Sequence, residues 1–144
     1  NGKQPFVNKS NTVQVVQNGE IYNYKELREY YTKCGYYFET KCDTEVILAG
    51  YTVDGIDFIK KLNGMFSICI NDENSNKCFL MRDRVGVKPL YYFKFENGIY
   101  FSSELKPLLN YNNTLKLNIK GLISYLELIL HYFLFLNNLI FLLM

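Results

Sequence analysis

Short runs of apolar, β-branched and aromatic residues recur along this chain, which is typical of β-strands, and in residues 12–17 apolar and polar positions alternate. The runs that predict strands are residues 12–17, 36–40, 65–70, 78–81, 90–95 and 99–102. Two short polar segments, 71–77 and 96–98, connect neighbouring runs, so we expect two β-hairpins and an antiparallel sheet. Residues 1–11 lack this pattern and are predicted to form a loop.

Helical spacing of apolar residues appears between the predicted strands. Residues 23–34 predict a helix that begins with Asn23 and Glu26 as a capping box and ends at Gly35. Its buried face is predicted to contain Leu27, Tyr30, Tyr31 and Cys34. Two shorter helices are predicted at residues 56–62 and 122–127. Helices between antiparallel hairpins indicate the α+β class.

Composition narrows the range of functions. Of the 144 residues, 49% are apolar and 17% are aromatic, which is enough for one domain with a packed core. The net charge of +2 is scattered, so no nucleic-acid-binding surface is predicted. One histidine and four cysteines without a C-x-x-C pair indicate no metal site. Cys69 is predicted to be a buried thiol, and a reduced, cytoplasmic setting is expected.

The stretch at residues 17–23 offers the most specific chemistry. A strand is predicted to end there and a turn to begin, so that Asn18, Gly19 and Glu20 face one small space. A side-chain amide and a backbone N–H would be donors for a developing oxyanion, and the carboxylate would accept an ammonium group. Asn-Gly is also a common tight-turn dipeptide, so the pattern alone leaves both interpretations open.

A second acidic stretch begins at Asp43. Its carboxylate suits the cap of the helix that follows, and it also suits a position facing the same space as Asn18. One carboxylate can fill both roles because it has several lone pairs.

Several stretches together resemble the glutaminase domain of asparagine synthetases, which are class II glutamine amidotransferases of the N-terminal-nucleophile hydrolase type. They read NGEIYN at 18–23, ELR at 26–28, DTEVI at 43–47, RDRVGVKPLYY at 82–92 and FSSE at 101–104. The resemblance predicts an incomplete amidotransferase domain at residues 1–126, followed by an apolar tail at 127–144 that does not match the family. It implies a four-layer αββα sandwich of antiparallel sheets that lacks its first strands.

The resemblance also implies a chemistry. In the family, an N-terminal cysteine thiolate attacks the side-chain amide of glutamine, ammonia leaves, and the thioester is hydrolysed. Asn18 and Gly19 would form the oxyanion hole, and Glu20 and Asp43 would hold the α-ammonium of L-glutamine. Residues 82–92 would be structural or would face the synthetase domain. That domain would use ATP and Mg²⁺ to form asparagine from aspartate, and the full-length enzyme is compatible with a homodimer.

None of the four cysteines stands in an N-terminal Cys-Gly setting, and the family's upstream arginine segment is absent. The polypeptide as written is therefore expected to lack glutaminase activity. Other interpretations stay open: another class II amidotransferase, such as a glucosamine-phosphate synthase or phosphoribosylpyrophosphate amidotransferase, a non-catalytic glutamine-binding module, or a gene fragment without function. No membrane segment is predicted, because polar residues interrupt the apolar tail before a span of ~18 residues is reached.

Overall fold

The computed structural model describes residues 3–96, 98–111 and 119–127. The elements, in chain order, are β1 (Phe6–Val7), β2 (Val13–Ile21), α1 (Tyr24–Lys33), α2 (Asp43–Asp54), a 3₁₀ helix (Gly55–Lys61), β3 (Gly64–Asp72), β4 (Lys77–Arg82), β5 (Tyr91–Phe95), β6 (Gly98–Ser102), α3 (Leu105–Tyr111) and α4 at residues 119–127. β1 lies within the segment predicted to be a loop, and it forms because Phe6 and Val7 pair with Val15 and Gln14 of β2.

The strands form two antiparallel sheets. The larger sheet has the order β1-β2-β3-β4, and β5 pairs with β6 in a separate two-stranded sheet. β3 pairs with β2 along its whole length and with β4 over six residue pairs. The predicted hairpins and the α+β class are therefore confirmed.

One face of the larger sheet packs against α1, α2 and the 3₁₀ helix to form the core. The residues that are completely or almost completely buried there are Val15, Ile21, Tyr31, Val46, Ile47, Phe58, Ile68 and Ile70. The Tyr31 hydroxyl donates to Asp54 Oδ2 at 2.9 Å, and Lys61 Nζ reaches the same oxygen at 2.8 Å. Burial, followed by the hydrogen bond to Asp54, raises the pKa of the Tyr31 hydroxyl. The helices therefore hold the strands that carry the candidate site.

The prediction of a strand at residues 36–40 is wrong, because no strand forms there. The buried carboxylate of Glu45 accepts the backbone N–H groups of Glu39 and Thr40, each at 2.7 Å. A side chain thus satisfies the amides that a neighbouring strand would otherwise bond.

Helix α1 occupies the predicted position, but its capping box is wrong. Asn23 precedes the helix, yet its Nδ2 donates to the carbonyl of Lys61 and its Oδ1 accepts the N–H of Asn63. The buried face is also narrower than predicted, since Leu27 and Tyr31 are buried while Tyr30 and Cys34 are exposed.

The chain divides into two compact units, Asn1–Leu108 and Leu109–Met144. All six strands, α1 and α2 belong to the first unit. In the second, α4 confirms the helix predicted at 122–127. The rest of the predicted apolar tail, residues 128–144, lies outside the described residues. No helix within the described ranges is long and apolar enough to cross a bilayer.

Candidate functional site

The Asn18-Gly19-Glu20 stretch lies inside β2, so the predicted end of a strand and start of a turn are wrong. These residues stand opposite Ser67, Phe66 and Met65 of β3. The backbone of Gly19 has φ +142°, and a Cβ atom there would lie 2.0 Å from the carbonyl oxygen of Met65. Glycine is needed because β3 approaches so closely, and not because the chain reverses.

The N–H of Gly19 points away from β3. Its partner Phe66 has both main-chain groups committed on the β4 side: Phe66 N donates to Asp83 Oδ2 at 3.2 Å, and Asp83 N donates to Phe66 O at 2.8 Å. Gly19 and Phe66 therefore form a non-hydrogen-bonded pair of the antiparallel ladder. The Gly19 N–H is directed to the opposite edge of β2.

Side chains form hydrogen bonds with other main-chain groups along this edge of β2. Gln17 N donates to Gln4 Oε1 at 2.6 Å, and Gln4 Nε2 donates to Gln17 O at 2.9 Å. Ile21 N donates to Asp43 Oδ2 at 3.0 Å. Gly19, an exposed residue, lies between these two fixed positions, so its N–H is held in place as a preorganised donor for an oxyanion requires.

Asp43 begins α2 as its first helical residue, while Cys42 is the N-cap and makes no side-chain capping bond. The predicted capping role is therefore wrong, and the carboxylate is used elsewhere. Asp43 Oδ2 accepts from Ile21 N and from Gln17 Nε2 at 3.2 Å. Asp43 Oδ1 contacts Cys42 Sγ at 3.6 Å, a weak donor that leaves this oxygen able to accept more hydrogen bonds.

A cavity of about 350 Å³ opens beside Asp43. Its lining residues are Gly19, Glu20, Tyr24, Lys41, Cys42 and Asp43. The structure thus brings three of the four predicted site residues together. Asn18 instead lines a neighbouring cavity of about 180 Å³, together with Ser67 of β3 and Phe101 of β6.

Three further residues of this region, Lys41, Gln17 and Gln4, were not predicted from the sequence. Lys41 is the cation among the six lining residues, and it is exposed. Gln17 is only 9% exposed and contacts Asp43. A glutamine at an inward position of a predicted strand is the one feature that could have identified Gln17. No pattern in the sequence pairs Gln4 with Gln17.

The predicted structural role of residues 82–92 agrees with their contacts. Asp83 is 7% exposed, and backbone N–H groups, that of Lys88 above all, hold the pKa of its carboxyl below the usual range. Arg82 donates to the carbonyls of Lys88 and Gly86, each at 2.6 Å. The loop therefore braces β3 directly behind Gly19, whereas contact with another domain stays a prediction.

The cysteines lie in different surroundings. Cys34 and Cys78 are exposed, Cys42 lines the cavity, and Cys69 is buried as predicted. Burial raises the pKa of the Cys69 thiol to about 12, and Cys78 Sγ lies 3.6 Å from it. Within residues 3–96, 98–111 and 119–127, no cluster of three or more His, Cys, Asp or Glu side chains is arranged to hold a metal ion.

Comparison with known proteins identifies the family. A family model described as a glutamine amidotransferase domain matches residues 1–137. This chain belongs to the glutamine amidotransferase domain family. The family predicted from the sequence is thereby confirmed, while the predicted boundary at residue 126 stays a prediction.

The similar curated proteins are glutamine-hydrolysing asparagine synthetases. Asparagine synthetase 2 of Bacillus subtilis is 47% identical over 111 residues, which cover 77% of this chain and 15% of that protein. Asparagine synthetase B of Escherichia coli is 40% identical over 116 residues, which cover 80% of this chain and 21% of that protein. The chain spans only about a fifth or less of the length of these relatives.

A solved structure of glutamine phosphoribosylpyrophosphate amidotransferase from Bacillus subtilis, in complex with ADP and GMP, shares the fold. Its TM-score is 0.61 at 24% identity, and the match covers 72% of this chain and 25% of that one. The predicted amidotransferase fold is therefore confirmed.

Proposed function

We propose that this domain binds L-glutamine in the cavity beside Asp43 and serves as the glutaminase part of an ATP-dependent asparagine synthetase. The observation that carries the proposal is the cavity shared by Gly19 and Asp43: Gly19 is an exposed residue whose N–H is directed to the edge of β2, and the carboxylate of Asp43 lines the same cavity. Identity of 40–47% to asparagine synthetases over most of this chain supports the choice of acceptor reaction.

The α-ammonium of glutamine is assigned to the acidic side of the cavity. Asp43 Oδ1 retains acceptor capacity, and Glu20 lines the same cavity from β2. Two carboxylates around one ammonium favour a free amino acid over a peptide, whose main-chain nitrogen is neutral. Lys41 supplies a positive charge for the α-carboxylate.

The oxyanion formed at the δ-carbon of glutamine is assigned to the Gly19 N–H and the Asn18 side-chain amide. Asn18 is exposed and lines the neighbouring cavity, so its contribution requires a change of rotamer when substrate binds. Loss of one such donor typically costs about 10²–10³ in rate.

In this reaction a thiolate attacks the amide carbon, ammonia leaves, and water hydrolyses the thioester to glutamate. None of the four cysteines is assigned the attacking role. Cys42 lines the cavity, but its Sγ contacts Asp43 Oδ1 at 3.6 Å, on the side assigned to the ammonium. The residues of this sequence are therefore proposed to bind glutamine and to stabilise the oxyanion, and the attacking thiol is not assigned to any of them. ATP and Mg²⁺ are proposed for the synthetase reaction, and the cytoplasm for its compartment.

Protection of Cys42 from alkylation tests the binding proposal. The chain is treated with iodoacetamide at increasing L-glutamine, and the modification of each cysteine is followed by peptide mass spectrometry. We expect glutamine to slow the alkylation of Cys42, because this thiol lines the occupied cavity. The exposed Cys34 and Cys78 are internal controls whose rates should not change.

Two comparisons make this test specific. N-acetyl-L-glutamine lacks the α-ammonium and should give no protection. Asp43→Asn should abolish protection by glutamine, whereas Asp57→Asn, at an exposed residue paired with Lys60, should retain it. Unchanged alkylation of Cys42 at saturating L-glutamine would show that the chain does not bind glutamine in this cavity.

A further inference from the structure

The side chain of Gln4 takes the place of a strand residue at the edge of β2. The register of β1 and β2, in which Phe6 faces Val15 and Val7 faces Gln14, places Gln4 opposite Gln17. Both hydrogen bonds of that position are made by the Gln4 carboxamide, which accepts from Gln17 N at 2.6 Å and donates to Gln17 O at 2.9 Å.

This substitution of a side chain for the backbone has a consequence at the next position of the edge. The Gln4 carboxamide directs its oxygen to Gln17 N and its NH₂ group to Gln17 O. Backbone pairing with β1 ends at Val15, and the hydrogen bonds of the Gln4 side chain end at Gln17, two residues before Gly19.

Gln17 connects this edge to Asp43. Gln17 is 9% exposed, and its Nε2 donates to Asp43 Oδ2 at 3.2 Å. Its Oε1 is buried without a hydrogen-bond partner among the described residues. A buried, unpaired amide oxygen is unfavourable, so an apolar side chain of similar length would suit the core better.

We infer that Gln17, held by Gln4, is a positioning residue of the glutamine site, an inference that rests on the proposed function. The Nε2 group and the Ile21 N–H both bond Asp43 Oδ2, and together they fix the plane of the carboxylate. With that plane fixed, Asp43 Oδ1 remains available for the α-ammonium. Gln17 thus aligns a binding group at a cost in stability.

The variant Gln17→Met separates positioning from a structural role. Methionine is apolar and similar in length, so it removes the Nε2 bond together with the unpaired oxygen. We expect an unchanged or higher Tm, with the affinity for L-glutamine reduced about tenfold, as the loss of one hydrogen bond to a charged group predicts. Gln14→Met, on the opposite face of the same strand, is the matched control and should leave the affinity unchanged. A lower Tm with unchanged affinity would overturn the inference.

A readout that does not require ligand keeps this test independent of the proposed function. Amide hydrogen exchange of Ile21 reports its bond to Asp43 Oδ2, and we expect faster exchange in both Gln17→Met and Gln4→Ala. Gln4→Ala should also speed exchange of the Gln17 amide, which loses its acceptor. If Ile21 exchanges at the wild-type rate in both variants, Gln17 does not position Asp43. Absence of glutamine binding by the wild-type chain, with faster Ile21 exchange in the variants, would instead refute only the proposed function.

Discussion

Asp83 and Asp43 both accept backbone N–H groups next to the β2–β3 pair. They differ in how many of their carboxylate oxygens accept such hydrogen bonds. Asp83 Oδ1 accepts from Val87 N at 2.8 Å, and its Oδ2 accepts from Phe66 N at 3.2 Å and Lys88 N at 3.0 Å. Asp43 engages Ile21 N and Gln17 Nε2 through Oδ2 alone, and its Oδ1 contacts only a thiol among the described residues.

The difference separates a structural carboxylate from a binding carboxylate. Asp83 is 7% exposed, and both of its oxygens accept backbone N–H groups of the chain itself, so this carboxylate is committed to the fold. Asp43 lies at a cavity with one oxygen still able to accept. The two act on opposite sides of one strand pair: Asp83 fixes Phe66, and Phe66 faces Gly19. The hydrogen bonds of Asp83 therefore leave the Gly19 N–H directed at the site.

Removal of the saturated carboxylate should have the largest effect on stability. Asp83→Ala leaves the N–H groups of Phe66, Val87 and Lys88 without this acceptor, and buried donors without partners are costly. We expect Tm, measured by circular dichroism, to fall by roughly 10 °C. Asp57→Ala is the control, since its ion pair with Lys60 is exposed and should contribute little. Equal Tm values for the two variants would show that the buried carboxylate of Asp83 contributes no more to stability than the exposed one of Asp57.

Asp43→Asn, in contrast to Asp83→Ala, should weaken glutamine binding more than it lowers stability. The amide oxygen of asparagine can still accept the Ile21 N–H, which then directs the NH₂ group to the cavity, where it repels an ammonium. We expect the affinity for L-glutamine, measured by calorimetry, to fall about 30-fold or more. The loss of Tm should be smaller than that of Asp83→Ala. Tight glutamine binding by this variant would place the ammonium elsewhere.

The elements that follow from local pattern were predictable from the sequence. β3, β4 and the β5–β6 hairpin are short apolar or aromatic runs between polar turns, and they form where predicted. The strand predicted at residues 36–40 does not form, because a side chain takes the place of a backbone partner: Glu45 accepts the N–H groups of Glu39 and Thr40. The predicted Asn-Gly turn does not form, because Gly19 instead allows the close approach of β3, which the sequence does not show.

The candidate site was predictable only in part. Asn18, Gly19 and Glu20 are contiguous, so a resemblance to a known family identifies them together. Gln4 and Gln17 are 13 residues apart, and their contact depends on the register of β1 against β2. Such a register is set by the packing of the sheet, and no local pattern encodes it.

The pH dependence of stability is the smallest of the expected effects, and it is a further test of the comparison between Asp83 and Asp43. Hydrogen bonds from backbone amides, first that of Lys88, hold the pKa of the Asp83 carboxyl below its usual range. A carboxyl with a lowered folded-state pKa stabilises the fold above its unfolded pKa of about 3.9 and loses that contribution as the pH falls toward the folded-state value. The Tm difference between the wild-type chain and Asp83→Asn should therefore be constant near neutral pH and shrink below about pH 4.

Asp54 and Asp72, whose pKa values are lowered by Lys61 and by Tyr51 respectively, titrate alike in both chains and cancel in the difference. A difference that stays constant down to low pH would mean that Asp83 acts through its shape and not its charge, and the contrast with Asp43 would then rest on geometry alone.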